Sequence, residues 1–197
     1  MRIIAGQFKG KKILEPKDEK TRPLKDLVKE SIFNIINHSN KFKINLNNSN
    51  ILDLFSGVGS FGLEALSRGA GHITFVENYP KVLGILKKNI KNLNLNEKCN
   101  IIEKNIFNDL DFKIVDRKFD IIFFDPPYKE KNIHSIVSKI YDSKILKKNG
   151  LLIFHRNNKG KDIFPKNLVI IEEKRSFLVE RIKSLILRNP ISKLSFH

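Results

Sequence analysis

Strand-like and helix-like segments alternate along this chain from residue 51 onward, and this alternation limits the possible folds more than any other feature. Phe119–Phe124 is apolar at nearly every position, as in a central strand buried on both faces. The alternation predicts an α/β fold, a mostly parallel sheet with helices on both faces. The predicted strands are Ile51–Phe55, Ile73–Glu77, Cys99–Glu103, Phe119–Phe124 and Leu151–His155, and the predicted helices are Ser60–Arg68, Pro80–Leu93 and Asn132–Ile145.

The N-terminal part of the chain does not follow that alternation. Arg2–Ile4 and Lys11–Leu14 are short β-like runs around a glycine-containing turn, which predicts a basic hairpin. Residues 24–38 follow Pro23 and repeat apolar residues at spacings of three and four, which predicts an amphipathic helix with Pro23 at its first position. The apolar residues of that helix are Leu24, Leu27, Val28, Ile32, Ile35 and Ile36.

The C-terminal part also differs from the central pattern. Leu168–Lys174 and Phe177–Leu187 predict an antiparallel hairpin on the sheet edge, joined by a tight connection at Arg175 and Ser176. We therefore expect an N-terminal extension over residues 1–40, which would contact nucleic acid, and a main domain over residues 41–190.

The formal net charge of +16 is concentrated at the two ends of the 197-residue chain. Residues 1–49 contribute +6 and residues 129–197 contribute +10, whereas residues 50–128 are neutral overall. Basic flanks favour a polyanionic partner, because each neutralised phosphate releases counterions. A lysine-rich bias of the genome would also produce this composition. Within the extension, Lys9, Lys11, Lys12 and Arg22 are the candidate RNA-binding residues.

The composition also indicates the cellular compartment of this protein. No apolar run reaches the roughly 18 residues that cross a bilayer. The single Cys99 cannot form an internal disulfide. We expect a cytosolic protein with no membrane partner. The five histidines show no ligand spacing, so no metal is expected.

A glycine-rich turn follows the first predicted strand of the main domain. The segment runs from Asp53 to Gly62 and includes Phe55, Gly57 and Gly59, which we take as candidate cofactor contacts. Glycines there let the backbone turn tightly and approach a ligand closely. The acid ahead of them would repel a diphosphate but attract the ammonium of a cationic cofactor. This favours S-adenosylmethionine over NAD.

The next two strand ends carry further candidate cofactor residues. Glu77 ends the second strand, where an acid accepts hydrogen bonds from ribose hydroxyls, although NAD enzymes use the same device. Asn105 follows the third strand, and its amide suits an adenine edge. Ile106 beside it would pack on the ring face. Because Asn is abundant in this chain, Asn105 would equally fit an ordinary loop position.

Asp125, Pro126, Pro127 and Tyr128 directly follow the most apolar strand and form the most specific motif of the sequence. Two prolines fix the backbone and remove two donors, which leaves carbonyl oxygens as acceptors. A carboxylate and a carbonyl would hold both hydrogens of a base NH₂ group and localise its lone pair for attack on a methyl group. An aromatic ring such as that of Tyr128 stacks on an extruded base.

Together these motifs resemble the amino-methylating, Rossmann-like methyltransferases. Within them, the chain resembles the bacterial small-subunit ribosomal RNA guanine-N2 methyltransferase family over about residues 1–188. The matching segments are residues 2–6, 10–12, 22–23, 28–34, 53–57, 62–70, 75–77 and 125–128. The resemblance implies a seven-stranded sheet, S-adenosylmethionine as cofactor, and methylation of one guanine N2 in 16S ribosomal RNA or the assembling 30S particle. We expect a monomer.

The sequence departs from that family at two places and leaves other functions open. His155 and Arg156 stand where an acid is expected, and Arg175 to Leu178 stand where Tyr-Gly often follows a basic residue. An adenine-N6 or cytosine-N4 methyltransferase would use the same amine chemistry. A nucleic-acid-binding module with a vestigial cofactor fold is a further alternative, which retention of Asp53, Glu77 and Asp125 disfavours. A nicotinamide oxidoreductase is disfavoured by Asp53.

Overall fold

The structure is a computed structural model. It describes residues 1–16, 24, 26–41, 44–108, 111–112, 115, 117–127, 130, 133–157, 168–176 and 182–188, with only the backbone for 156–157, 169–176 and 182–188.

Strands and helices alternate through the main domain. The strands are β1 (Asn50–Leu54), β2 (His72–Val76), β3 (Cys99–Ile102), β4 (Phe119–Phe124) and β5 (Leu146–Asn157), and the helices are α1 (Asp26–His38), α2 (Ser60–Ser67), α3 (Pro80–Asn92) and α4 (Ile133–Asp142). These five strands lie in the order β3-β2-β1-β4-β5 and pair in parallel. The predicted parallel α/β fold is confirmed. None of the described helices is long and apolar enough to cross a bilayer.

The sheet separates two apolar layers, because alternate residues of each strand point to opposite faces. Ile51 and Phe123 pack in the layer that contains α1, α2 and α3. Leu52 and Phe124 pack in the layer that contains α4. Each central strand is therefore buried on both sides, which accounts for its nearly continuous apolar sequence.

Some element boundaries differ from the predicted ones. β4 has the predicted bounds, whereas β5 begins at Leu146 rather than Leu151. The early start follows from pairing with β4: Phe119 faces Leu146, and a register irregularity precedes the Ile121–Leu151 pair. α4 accordingly ends at Asp142 rather than Ile145.

The backbone of two further strands lies beside β5. These are β6 (Val169–Ser176) and β7 (Ile182–Arg188). β7 pairs antiparallel with both β5 and β6. Arg175 and Ser176 pair with residues of β7, so the predicted tight connection at these two residues is wrong; the connecting residues 177–181 lie outside the described part.

The N-terminal residues form a short hairpin that lies against the main domain. Arg2 and Lys12 form an antiparallel bridge, and Ile3 N donates to Lys11 O over 3.0 Å. α1 follows and buries Ile32, Phe33 and Ile36. Leu27 does not belong to the buried face, since 63% of it is exposed, and Pro23 lies outside the described residues.

Candidate active site

The carboxyl ends of β1, β2 and β4 meet at one edge of the sheet, where the chain order of neighbouring strands reverses. Such a switch point is where open α/β sheets bind ligands. Backbone hydrogen bonds tie the strand ends together. Ser56 N donates to Val76 O over 3.1 Å, and Asp125 N donates to Leu54 O over 3.5 Å. The segments that follow these three strands are therefore held side by side.

The glycine-rich turn leaves open space at one glycine and is closely packed at the others. Gly57 has φ +54°, and a Cβ there would meet nothing within 4 Å. A Cβ on Gly59, with φ +85°, would lie 2.6 Å from Leu86 Cδ1. Phe55, also at positive φ, places its ring 5.4 Å from that of Phe124. The turn thus presents bare backbone at Gly57, as close approach to a ligand requires.

Asp53 lies beneath this turn and is only 1% exposed. Its Oδ2 accepts a hydrogen bond from Gly62 N over 3.0 Å. Burial, with smaller contributions from the carboxylates of Asp125 and Glu77, raises the pKa of Asp53 to about 8 against the lowering effect of the Gly62 bond. A buried acid facing two other acids is electrostatically suited to receive a cation.

Glu77 joins β2 to the glycine-rich turn. Its Oε2 accepts a hydrogen bond from Gly57 N over 2.8 Å, and its Oε1 accepts from Asn78 N at 2.8 Å and Tyr79 N at 2.9 Å. A carboxylate has about four acceptor positions, so about one remains. The predicted contact with both ribose hydroxyls would require Glu77 to release one of these backbone bonds.

Asn105 and Ile106 follow β3 beside the end of β2. Asn105 is partly exposed, and its Oδ1 accepts a hydrogen bond from Phe107 N over 2.8 Å, which leaves the amide NH₂ as its donor. Ile106 is only 3% exposed and packs in the α4 layer. The two residues lie at the predicted place. Contact of Ile106 with an adenine ring stays a prediction, and this side chain already has core neighbours.

Asp125 is partly exposed at the end of β4, followed by a buried Pro126 and an exposed Pro127. The prediction that both proline carbonyls are available needs a correction. Pro127 O already accepts a hydrogen bond from Glu130 N over 2.9 Å. Tyr128 lies outside the described residues, so its predicted stacking role stays a prediction.

A cavity at this edge brings several of the candidate residues together. Asp53, Phe55, Gly57 and Asp125 all line it. Two residues of the N-terminal extension, Pro16 and Leu24, also line the cavity, which the sequence analysis did not predict. The N-terminal extension therefore forms part of the cavity wall.

Buried polar side chains that were not predicted as functional attach the N-terminal hairpin to the main domain. Glu64, fully buried in α2, accepts hydrogen bonds from Ile4 N at 2.8 Å and Ala5 N at 3.0 Å, and pairs with Arg68 Nε at 2.7 Å. Lys29 of α1 is also fully buried, and its Nζ lies 3.7 Å from Glu64 Oε2. The sequence does indicate a buried position for Lys29, because this residue continues the apolar helix face of Ile32, Phe33 and Ile36 at helical spacing.

Asn89 makes a second connection between the hairpin and the glycine-rich turn. Its Oδ1 accepts from Leu14 N over 2.8 Å, while its Nδ2 lies 3.1 Å from both Leu14 O and Val58 O. Asn89 is 2% exposed, so these bonds are shielded from water. The sequence gives no signal for such a contact, since Leu14 and Asn89 are distant in the chain.

The predicted RNA-binding lysines lie on the hairpin side of the molecule. Lys9, Lys11 and Lys12 are exposed, and Arg22 lies outside the described residues.

His155, which stands where the resembling family has an acid, is 3% exposed within β5. Its burial indicates a packing role for this side chain.

A Rossmann-like fold, a bare glycine-rich turn over a buried acid and a second acid after β2 define an S-adenosylmethionine-dependent methyltransferase. The open space at Gly57 and the carboxylates of Asp53 and Glu77 fit that cofactor better than a diphosphate. An RNA methyltransferase from Salinibacter ruber, solved with S-adenosyl-L-homocysteine, has this fold with a TM-score of 0.59 at 13% identity over 86% of this chain and 94% of that one. S-adenosylmethionine is the cofactor.

The chain belongs to the family described as Conserved hypothetical protein 95, whose family model matches residues 1–180. Its relatives in that family include proteins named ribosomal RNA small subunit methyltransferase D. Two proteins of that name, from Buchnera aphidicola (subsp. Acyrthosiphon pisum) and Haemophilus influenzae, are each 34% identical to it. The alignment with the Buchnera protein covers 87% of this chain and 86% of that protein. The alignment with the Haemophilus protein covers 91% of this chain and 90% of that protein. The crystal structure of a methylase from Haemophilus influenzae superposes on this chain with a TM-score of 0.75 at 29% identity, and the match covers 96% of this chain and 98% of that one.

Proposed function

We propose that this protein transfers a methyl group from S-adenosylmethionine to the exocyclic N2 amine of a guanine in 16S ribosomal RNA. The observation that carries the proposal is the position of Asp125, at the end of β4 in the wall of the cavity that Asp53 and Gly57 also line. An acceptor for the amine thus lies beside the groups suited to the cofactor. The relatives named as small-subunit ribosomal RNA methyltransferases support the substrate class.

The amine must become a better nucleophile before it reacts, because its lone pair is delocalised into the base. We assign the Asp125 carboxylate and the Pro126 carbonyl as the acceptors of its two hydrogens. Pro126 is chosen because the carbonyl of Pro127 already accepts from Glu130 N. Two acceptors draw the nitrogen toward tetrahedral geometry and stabilise the positive charge that develops on it.

S-adenosylmethionine, when bound, supplies a methyl group on a positively charged sulfur. The amine nitrogen forms a bond to that methyl carbon as the carbon–sulfur bond breaks, and sulfur keeps the electron pair. The nitrogen then loses one proton, for which Asp125 is the proposed acceptor. Asp53 would pair with the cofactor's ammonium, Glu77 would accept from its ribose, and Asn105 with Ile106 would contact its adenine.

The N-terminal extension, residues 1–40, would hold the RNA through Lys9, Lys11, Lys12 and Arg22. Exposure of the first three supports this assignment.

We also propose that the sheet has seven strands and ends in a C-terminal antiparallel hairpin. The backbone pairing of β6 with β7 supports this arrangement. We also propose a cytosolic monomer acting on 16S RNA or on the assembling 30S particle.

Nucleoside mass spectrometry tests the proposal directly. Ribosomal RNA from a strain lacking the gene should lack one N2-methylguanosine, and the intact gene should restore it whereas an Asp125→Ala gene should not. Loss of N6-methyladenosine or N4-methylcytidine instead would establish the alternative amine specificities. An unchanged profile in every nucleoside would contradict the proposal.

A further inference from the structure

The buried ammonium of Lys29 touches both the N-terminal hairpin and the first turn of α2. Nζ lies 3.3 Å from Arg2 O and 3.3 Å from Ser60 Oγ. It also lies 3.5 Å from Asp26 Oδ1 and 3.7 Å from Glu64 Oε2. Burial lowers the pKa of the fully buried Lys29, and these two carboxylates oppose that shift by favouring the charged ammonium.

The chemistry of these two groups determines how Ser60 is oriented. An ammonium has three hydrogens and no acceptor, so Ser60 Oγ must accept in the contact with Lys29. The hydroxyl's own hydrogen then points away from Nζ. Ser60 is 6% exposed and lines the same cavity as Asp53, Gly57 and Asp125. A hydroxyl hydrogen is thus available on the cavity wall.

The electrostatics of this wall suit a carboxylate. Ser60 is the first residue of α2, where backbone N–H groups lack helical partners and the helix dipole favours negative charge. The Lys29 charge lies directly behind the hydroxyl. The acids Asp53 and Asp125 line the same cavity. The amino-acid part of the cofactor carries one ammonium and one carboxylate, and this cavity is lined by groups suited to each.

We propose that Lys29 is a positioning residue: it orients the Ser60 hydroxyl, which donates its hydrogen to the carboxylate of the bound cofactor. The proposal concerns the cofactor alone and does not depend on which base is methylated. A purely structural role for Lys29, neutralising Glu64, is the competing explanation. Glu64 already has Arg68 and two backbone N–H groups as partners, so this explanation does not account for the contact with Ser60.

Calorimetry with two ligands separates these explanations. The probes are S-adenosylhomocysteine and its decarboxylated analogue, which differ only in the carboxylate, titrated into the full chain. The wild-type protein should prefer S-adenosylhomocysteine by about tenfold or more, because the analogue lacks a hydrogen bond to a charged group. In Ser60→Ala and in Lys29→Met the preference should fall to about threefold or less. The double variant should show no further reduction, since both residues act through one hydroxyl.

Ser67→Ala is the matched control, because Ser67 lies in the same helix and bonds only the hairpin, at Phe8 N and Ala5 O. It should lower thermal stability and keep the wild-type ligand preference. The proposal is overturned if Lys29→Met weakens both ligands equally, which is the result for a structural role. If Lys29→Met does not fold, Ser60→Ala decides alone, and a wild-type preference in that variant overturns the proposal.

Discussion

Gly62 N donates a hydrogen bond to Asp53 Oδ2 over 3.0 Å, which joins the first turn of α2 to the buried acid of β1. This bond lowers the pKa of Asp53, but burial and the nearby carboxylates of Asp125 and Glu77 raise it more, to about 8. At neutral pH the free protein therefore holds a proton on Asp53. A cation placed beside the carboxyl group favours its ionised form, so binding of the cofactor's ammonium should expel that proton.

We predict that S-adenosylmethionine binding at pH 7 releases close to one proton from Asp53. The affinity should increase as the pH rises from 6 toward about 8, by at most about tenfold per pH unit, because less free energy is spent on removing the proton. Calorimetry in buffers with different ionisation enthalpies measures the released proton. Asp53→Asn should bind more weakly and release none. Equal proton release by the wild type and Asp53→Asn would remove Asp53 from the cofactor site.

Asp125→Ala should reduce turnover by at least about 10²-fold, because it removes an acceptor that stabilises charge on the reacting nitrogen. Cofactor affinity should change by less than about threefold. Single-turnover methylation of ribosomal RNA and calorimetry measure the two quantities. Asp120→Ala is the control in the same strand, since Asp120 bonds Lys147 Nζ and Asn50 N at the opposite end of β4. Its folded fraction should retain activity. Wild-type turnover in Asp125→Ala would exclude Asp125 from the mechanism.

The fold was more predictable than the contacts around the site. Strand β4 was predicted with its observed bounds because both faces are buried and almost every residue is apolar. Strand β5 was predicted too short, because the polar and glycine residues between Lys147 and Gly150 interrupt its apolar pattern. These residues lie at the irregularity between the Phe119–Leu146 and Ile121–Leu151 pairs, where Lys147 forms an ion pair with Asp120.

The position of the candidate site followed from sequence, because polar residues after parallel strands must meet at one edge of the sheet. Its supporting network did not. Asn89 bonds Leu14 and Val58, and Lys29 bonds Arg2 and Ser60, in each case across long stretches of chain. A local pattern can place Lys29 on a buried helix face, but it cannot identify the partner in another element. Packing between elements determines those contacts.

Gly57→Ala should selectively weaken cofactor binding. The backbone there has φ +54°, which costs an L-residue about 1–2 kcal/mol, and the new methyl group would occupy the space proposed for the ligand. Gly84→Ala is the matched control, because its Cβ also meets nothing within 4 Å but it lies in helix α3. That change should stabilise the protein by about 0.5–1 kcal/mol and leave cofactor binding unchanged.

Thermal unfolding with and without S-adenosylhomocysteine distinguishes these two variants. Gly84→Ala should retain the wild-type increase in Tm on adding ligand. Gly57→Ala should lose most of that increase, in addition to a loss of about 1–2 kcal/mol of stability without ligand. A wild-type ligand-induced shift in Gly57→Ala would show that the cofactor does not approach this part of the turn.

Replacing Lys9, Lys11 and Lys12 together by Gln should reduce the salt dependence of RNA binding. Each phosphate contact contributes about 0.7–0.9 to the slope of log K against log salt, so loss of three contacts should lower its magnitude by about two to three. Binding to a 16S RNA fragment over a salt series measures the slope. A control that replaces the exposed Lys88, Lys91 and Lys98 by Gln makes the same change in net charge outside the hairpin, and should leave the slope nearly unchanged. Equal reductions in both triple variants would mean that the RNA responds to overall charge and not to the hairpin, and the assignment of an RNA-binding extension would fail.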